Sequence, residues 1–385
     1  MASSTIAEVT PRIIKWAREH NTLTHKELAE TVGVHENQII KWEQGTTKPT
    51  FNQAGALAKA LRIPFGYLFL SEPPALEVPL PDLRTRSDRR LLKISESLRE
   101  VLYGALDRQE WYREYITDFR PRKLTFVGKF TLEGGPMKVA GSIRRLLAVN
   151  QPEREKARTQ TAYLNSLIDK AEHAGILVMR SSVVGNDTSR SLSTSDFQGF
   201  VITDEIAPVI FINGADFVSA QIFTLIHELA HIWIGQSGIS NIDEASISHS
   251  KHQTVESFCN TAAVEVLVPE SEFLKLWPEH EREFYKLAGH FWVSPLVVLR
   301  RAFELNKIRR DEFFAVLNRM KSDRTRTKGR GLGKYYINVA TRHSPTVMEL
   351  IIKDVQSGGT LIRDGARLLD MAVPTFAGFV EGTEY

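Results

Sequence analysis

The spacing of apolar residues near the start of the chain predicts a series of short amphipathic helices. Apolar side chains recur every three to four positions there, and residues that commonly cap or end a helix separate the runs. Five helices are expected, at 13–20, 25–31, 35–44, 51–61 and from Pro64 onward. Gly33 lies between the second and third, where a tight turn is typical of a helix-turn-helix unit.

Beyond this unit the pattern changes from linker to helix and then to strand. The proline-rich stretch 71–81 predicts an extended linker. Helical spacing follows over 89–119, and two more helices are expected within 136–175. Short apolar runs predict strands at 176–179, 199–203 and 208–212, with a hairpin turn at 204–207.

The second half of the chain is predicted to be mainly helical. One buried helix is expected from about Phe217, a second at 255–268, and further helices within 270–319. The basic, glycine-containing stretch 322–333 predicts a linker, and the last 50 or so residues predict a small helical unit. The elements together indicate an α+β, mainly helical fold with a small sheet.

The length of 385 residues favours two or three domains, because single cores stop growing at about 250–300 residues. We expect a helix-turn-helix domain at 1–72, a linker with connecting helices at 73–129, a sheet-containing domain at 130–320, and a basic linker with a helical unit at 321–385. With 42% hydrophobic and 25% charged residues, the composition is that of an ordinary globular protein. The net charge of +3 does not indicate a partner, although eight basic residues and one acid lie between Arg319 and Arg342.

The single cysteine, Cys259, excludes an internal disulfide and is compatible with a reducing cytoplasm. Its simplest interpretation is a small buried residue, and a redox or inhibitory role is the alternative. The N-terminus carries no pattern typical of a signal peptide, and no apolar run approaches the roughly 20 residues that cross a bilayer. We therefore expect a cytoplasmic protein without a membrane partner.

The most informative motif is His227-Glu228-Leu229-Ala230-His231, set in an apolar run that ends at Gly235. Residues four apart project from the same face of a helix, so His227 and His231 can reach one metal ion. Glu228 can then act on a water molecule without being a ligand, as in zinc-dependent hydrolases. Zinc lowers the pKa of bound water to about 7, and a carboxylate can move the proton to a leaving amine.

A catalytic zinc needs a third protein ligand, and Glu256 is the best candidate because it opens a helix rich in small residues. Asn260, one turn later, is placed to orient the Glu256 carboxylate. His249 and His252 are rival ligands in a polar stretch. A purely structural zinc is the alternative, but such sites usually fill the fourth position with Cys or His, and no such residue is well placed.

The third predicted helix would enter the major groove of double-stranded DNA through its N-terminal residues. Asn and Gln side chains pair with adenine edges, a Glu can accept from cytosine, and basic or hydroxyl groups at the start of the second helix can meet phosphate. The candidates are Thr24, His25, Lys26, His35, Glu36, Asn37, Gln38 and Lys41. A protein-docking module is the alternative, because residues 1–72 hold eight basic and seven acidic residues.

Residues 1–70 closely resemble the repressor-type, Xre/Cro-like helix-turn-helix family. The segments Lys26-Glu27-Leu28-Ala29, Val32-Gly33-Val34 and Ile39-Ile40-Lys41-Trp42-Glu43-Gln44-Gly45 agree with it in register. The resemblance implies binding to an operator.

Residues 130–310 resemble the ImmA/IrrE family of zinc metallopeptidases. The run Ala207-Pro208-Val209-Ile210-Phe211-Ile212-Asn213, the His-Glu-Leu-Ala-His helix, Gly238-Ile239-Ser240 and the helix with Glu256, Asn260, Ala263 and Pro269 carry this resemblance. It implies zinc bound by His227, His231 and Glu256, with Glu228 as the catalytic base. Cys259 and Ala262 depart from the family's usual residues and are not ligands.

The combined resemblance predicts a transcription regulator fused to a zinc peptidase that cleaves a partner protein, such as a repressor or an antitoxin. The alternative is a non-catalytic DNA-binding regulator or antitoxin whose metal domain senses or docks a partner. The positions Ala366, Leu369, Val373 and Thr375 near the C-terminus fit either a second helix-turn-helix-like hairpin or a unit that packs or forms a homodimer.

Overall fold

The computed structural model describes residues 5–20, 23–61, 63, 65–73, 95–117, 123–240, 251–324 and 335–382. The chain divides into two compact units, one of residues 1–79 with 86–96 and the other of 80–85 with 97–385. Helices dominate both, and the second unit also contains a small mixed sheet. The predicted α+β, mainly helical fold is confirmed.

The first unit is a cluster of short helices around its own apolar core. Its helices are α1 (Pro11–His20), α2 (His25–Val32), α3 (Glu36–Glu43) and α4 (Phe51–Ala60). The expected fifth helix is instead a short 3-10 helix, Phe65–Phe69. Leu28, Ile39, Trp42 and Leu57 are buried in the centre of the core.

Two N-terminal caps and one glycine turn fix the helix boundaries of this unit. Thr24 and Thr50 each form a capping box with the residue three positions later, Glu27 and Gln53, which satisfies backbone N–H groups that the helix leaves unpaired. Gly33 ends α2 in the left-handed region, at φ 75°, where glycine meets no steric penalty. The turn expected between α2 and α3 is therefore present.

The second unit begins with a long helix and contains most of the chain. Its first four helices are α5 (Glu96–Thr117), α6 (Pro136–Leu146), α7 (Gln151–Lys156) and α8 (Gln160–His173). The strands are β1 (Leu177–Ser181), β2 (Val183–Val184), β3 (Asp187–Ser191), β4 (Gly199–Ile202), β5 (Val209–Asn213) and β6 (Gly238–Ser240). Helix α9 (Val218–Trp233) lies between β5 and β6 in the chain.

The helices that follow β6 are α10 (Lys251–Leu267), α11 (Glu270–Leu276), α12 (Phe284–Phe291), α13 (Pro295–Glu304), α14 (Arg310–Arg324), α15 (Tyr335–His343), α16 (Pro345–Ser357), α17 (Ile362–Leu368) and α18 (Val373–Val380). None of the helices within the described ranges has the length and apolar character needed to span a membrane.

The main sheet has the strand order β1-β5-β4-β6. Strand β1 pairs parallel with β5, while β4 pairs antiparallel with both β5 and β6. Val201, Ile210 and Ile212 share one apolar core with the residues of α9, so this helix covers one face of the sheet. Phe200 and Phe211 alternate with them and stack on each other with centroids 5.0 Å apart, on the opposite face.

Several expectations at the level of elements are corrected. Three helices, not two, lie within 136–175, because Asn150 caps the additional helix α7. Strands β2, β3 and β6 were not expected. Ser322 to Arg324 continue α14 rather than opening a linker, while 325–334 and most of the proline-rich linker lie outside the described residues.

The C-terminal helices belong to the second compact unit. Helices α15 and α16 pack on strand β1, so the segment covers the sheet. The last turn of α15 ends at His343, and Ser344 then caps α16 from a backbone with φ 69°.

Candidate functional site

Helix α9 carries the His-Glu-Leu-Ala-His motif, and each of its residues from Ala220 to Trp233 is buried. Aromatic packing fixes the C-terminal end: Trp233 stacks on Phe126 at 4.5 Å and donates a hydrogen bond from Nε1 to Ser142 Oγ. Gly128 donates its N–H to the Ile232 carbonyl. The motif therefore lies on a rigid, buried element, which is the usual support for a precise site.

The three expected ligand side chains converge. His227 Nε2 lies 3.2 Å from His231 Nε2 and 3.2 Å from Glu256 Oε2, and His231 Nε2 lies 3.5 Å from Glu256 Oε1. Cys259, Ala262 and Ala263 are buried along α10, which packs against α9. Small side chains allow this close approach, so Glu256 reaches the two imidazoles.

The geometry and chemistry of this group fit a zinc ion. All three ligand atoms lie within 4.8 Å of one another. Two nitrogens that are each about 2.05 Å from a tetrahedral zinc are separated by about 3.3 Å, close to the 3.2 Å between His227 Nε2 and His231 Nε2. Two imidazoles and one carboxylate also form a donor set typical of catalytic zinc.

The acidic neighbours of His227 favour the positively charged form of its imidazole ring. Burial lowers the pKa of His227, but the hydrogen bond and charge of Glu256 and the charge of Glu228 outweigh it, and the pKa is raised overall. The Asn260 side chain also interacts with His227 and raises its pKa, whereas the sequence indicated Glu256 as its partner. Asn260 therefore lies beside a candidate ligand.

Glu228 lies fully buried beside the ligand group, and neither carboxylate oxygen has a hydrogen-bond partner within the described residues. Burial raises the pKa of Glu228 to about 8, against the opposing effects of His227 and Ser240. The positive charge of a metal ion would act in the same direction as His227 and favour the ionised carboxylate. Glu228 thus places a buried carboxylate beside the three converging side chains.

Gly199 and Ser240, to which the sequence reasoning gave no role in the site, lie against Glu228. A Cβ added at Gly199 would lie 3.0 Å from Glu228 Oε1, 2.5 Å from Thr224 Cγ2 and 2.9 Å from the Phe211 carbonyl oxygen. Ser240, at the end of β6, interacts with the Glu228 carboxylate. A glycine within a strand often marks a close backbone approach, and this signal could have identified Gly199.

The other residues considered for the site lie apart from it or outside the description. His249 and the side chain of His252 lie outside the described residues. Cys259 is buried, and burial raises the pKa of its thiol well above the ordinary value. That agrees with a small core residue.

The candidate DNA-reading helix is α3. His35 precedes it as an N-cap that makes no side-chain capping bond, and Glu36, Asn37 and Lys41 are exposed along it. Ile39 and Trp42 face the core. The first turn of α3 therefore exposes polar side chains to solvent, while apolar side chains of the same helix pack into the core. A recognition helix has this arrangement.

Three of the residues expected to contact DNA are engaged within the unit itself. The Thr24 hydroxyl accepts from Glu27 N and donates to Glu27 Oε2. His25 Nε2 lies 3.1 Å from Glu43 Oε2, and Gln38 Nε2 donates to Thr47 Oγ1 at 2.9 Å. Lys26, by contrast, is exposed at the start of α2.

Comparison with known families gives two matches. Residues 171–303 match the model of a peptidase family described as the IrrE N-terminal-like domain. Residues 14–68 match the model described as Helix-turn-helix. Comparison with curated proteins and with solved structures finds no significant match.

The two matches confirm the expected fusion of a helix-turn-helix domain with an IrrE-like, peptidase-family domain. The helix-turn-helix match lies in the first compact unit and the peptidase-family match in the second. The matched peptidase-family range contains His227, Glu228, His231 and Glu256.

Proposed function

We propose that the second unit is a zinc-dependent peptidase in which His227, His231 and Glu256 hold the metal and Glu228 is the general base. The convergence of three ligand atoms beside a buried carboxylate carries this proposal. A structural zinc site would need a fourth protein ligand. Three protein ligands leave one position for water and substrate.

Each side chain has a definite task in this mechanism. Zinc, when bound, supplies a Lewis acid that polarises the peptide carbonyl and acidifies water. Glu228 accepts a proton from the attacking water and delivers it to the leaving amine, as a general base and then a general acid. Asn260 orients the His227 ring, and Gly199 and Ser240 hold the Glu228 carboxylate in place.

The first unit would bring this activity to DNA. Asn37 and Gln38 would read base edges, with His35 and Glu36 beside them, while Lys41, Lys26, Thr24 and His25 would meet phosphate or support the helices that do. The exposed first turn of α3 supports this assignment. The cytoplasmic location and the homodimer stay predictions from the sequence.

The whole chain would then act as a transcription regulator that cleaves a partner protein, such as a repressor or an antitoxin. Similarity to a peptidase family supports the reaction class. The alternative is a non-catalytic regulator or antitoxin whose metal domain senses or docks a partner. The burial of Glu228 beside the three converging side chains favours the enzyme.

Glu228→Gln separates these functions. The variant removes the base and keeps all ligands, so it should hold as much zinc as the wild type, retain the bound partner, and lose cleavage by at least about a hundredfold. Co-purification with the variant identifies the partner, and cleavage by wild type and variant is then compared. Glu155→Gln, an exposed carboxylate on α7, is the matched control. Equal cleavage by Glu228→Gln and the wild type would refute the mechanism.

A further inference from the structure

A second polar cleft lies in the same unit, on the face of the sheet opposite α9. Phe211 of β5 and Ser181 of β1 form its floor, helix α5 forms one wall, and the end of α15 with Asp370 forms the other. The cleft is open to solvent at its mouth, and its enclosed part has room for a small group.

His343 is the least satisfied side chain of the cleft. It is 2% exposed, and neither ring nitrogen makes a hydrogen bond of good geometry with the described residues. Its Nδ1 lies 3.9 Å from Asp370 Oδ2, beyond hydrogen-bond distance. The ring also interacts with the Leu369 backbone, without a hydrogen bond of good geometry. Buried polar groups are almost always well bonded, so an imidazole in this state at a cleft indicates a partner supplied from outside the chain.

Arg108 presents a cationic group to the same space. Its Nε donates to the Leu368 carbonyl and its Nη2 to Asp370, whereas Nη1 makes no bond with the described residues. Nη1 lies against Gly104, where an added Cβ would be only 2.9 Å away. The glycine thus leaves room for the guanidinium to reach the cleft.

The charges around the cleft favour an anion. Each acid already has a cationic partner: Glu100 is bound by Arg190, and Asp370 by Arg108. Arg342 adds a further cation, and its Nη1 donates to the neutral Asn186 Oδ1. Burial, followed by the charges of Arg108 and Arg342, lowers the pKa of His343 well below its usual value, so the field at this ring is positive.

We propose that this cleft binds a small molecule through an oxyanion group, a carboxylate or a phosphate, with Arg342, Arg108 Nη1 and His343 as its donors. An oxyanion accepts several hydrogen bonds at once and forms strong charge-assisted bonds with guanidinium groups. It would satisfy the imidazole and form charge-assisted bonds with the guanidinium groups of Arg342 and Arg108. A divalent cation would instead face two arginines, with both acids already paired.

Calorimetric titration of the full chain tests this site. Inorganic phosphate and acetate are the probes, each in a chloride buffer of constant ionic strength. Arg342→Gln should weaken binding of the preferred anion by about tenfold, the loss expected when a charge-assisted bond is removed. His343→Gln should weaken it as well. Arg363→Gln, an exposed arginine on α17, is the matched control and should bind as the wild type does.

Anion binding by the wild type is compared with binding by the three variants. Anions bound at the metal centre or on the helix-turn-helix unit would be retained in all four proteins. Weaker binding confined to Arg342→Gln and His343→Gln supports the proposal. The anion that binds the wild type more tightly, phosphate or acetate, then shows whether the natural ligand carries a phosphate or a carboxylate. Equal binding by all four proteins, or no saturable binding of either anion to the wild type, would overturn it. Arg342 is only half-buried, so its variant should fold even if that of His343 does not.

Discussion

Gly199 has no side chain, and this leaves the Glu228 carboxylate room to lie against strand β4. We expect Gly199→Ala to lower the free energy of unfolding by about 1–3 kcal/mol, the usual cost of overpacking a dense core. The new Cβ would meet Thr224 Cγ2 and the Phe211 carbonyl oxygen at less than 3.0 Å, and the backbone cannot easily move away. The Glu228 carboxylate would shift with it, so cleavage should also fall. Chemical denaturation and the cleavage assay measure the two effects.

Gly289→Ala is the matched control for Gly199→Ala. Gly289 lies on α12, and an added Cβ there meets nothing within 4 Å. Alanine is the better helix former by up to about 1 kcal/mol. We therefore expect unchanged or higher stability and normal cleavage. Equal effects of the two substitutions would contradict the close packing at Glu228.

His343 should make stability depend on pH. Its folded pKa lies well below 6.5, so the folded protein keeps the ring neutral while the unfolded chain protonates it. The unfolded state then binds more protons, and stability falls as the pH drops below the unfolded value, by at most about 1.4 kcal/mol per pH unit. His343→Gln should remove this slope between about pH 5 and 6.5. Denaturation midpoints across this range give the measurement.

The charged groups that face His343 also affect how stability depends on pH. Arg108 and Arg342 keep their charge throughout, whereas burial raises the pKa of Asp370 against the opposing charge and hydrogen bond of Arg108. His173→Gln, at an exposed position on α8, controls for the loss of a histidine. A wild-type slope that persists in His343→Gln would show that the ring is not the group responsible.

At the scale of elements, the strongly periodic helices were predictable and the short or polar strands were not. Helix α9 is buried all round, and its apolar run and histidine spacing are visible in the sequence. Strand β3, Asp187–Ser191, is polar and mostly exposed, so it lacks the alternation that predicts a strand. Strand β6 has three residues and depends on pairing with β4, a contact that no local pattern encodes.

The same distinction holds for the candidate site: contacts set by local spacing were predictable, and contacts set by tertiary packing were not. The four-residue spacing predicted that His227 and His231 meet, because helical geometry fixes that separation. The small residues of the following helix predicted the approach of Glu256. The contact of Gly199 with Glu228 depends on how β4 packs on α9, a tertiary relation. For Thr24, a local interaction replaces a predicted intermolecular one. The sequence predicts that Thr24 contacts phosphate, but its hydroxyl forms the hydrogen bonds of the capping box with Glu27.

Helix α3 should read sequence through Asn37 and phosphate through Lys41. Asn37→Ala should relax the preference at one base pair, at a cost of about 1–3 kcal/mol for a lost bidentate contact. Lys41→Ala should weaken all duplexes alike and flatten the salt dependence. Selections on random duplexes at two salt concentrations distinguish the two effects. Glu30→Ala, exposed on α2, is the control. If no sequence is enriched and affinity is independent of salt, the unit docks protein instead.

At the scale of the whole molecule, the two units have separate sources of stability. The first has its own apolar core and its own helix caps, while the three candidate ligands all lie in the second. A domain with its own core can in principle fold alone. The metal should therefore affect the unfolding of the second unit and leave the first unchanged.

Removal of zinc tests this separation. A ligand that binds only the folded state, at about a hundred times its dissociation constant, stabilises that state by about 2.7 kcal/mol. A chelator should thus lower the unfolding temperature of the second unit, because it leaves His227, His231 and Glu256 without the ion that their converging atoms imply. Glu256→Ala should unfold at nearly the same temperature with and without zinc, and operator affinity should not change in either case. Full zinc stabilisation of Glu256→Ala would remove Glu256 from the site. A loss of operator affinity on chelation would show instead that the metal supports both units.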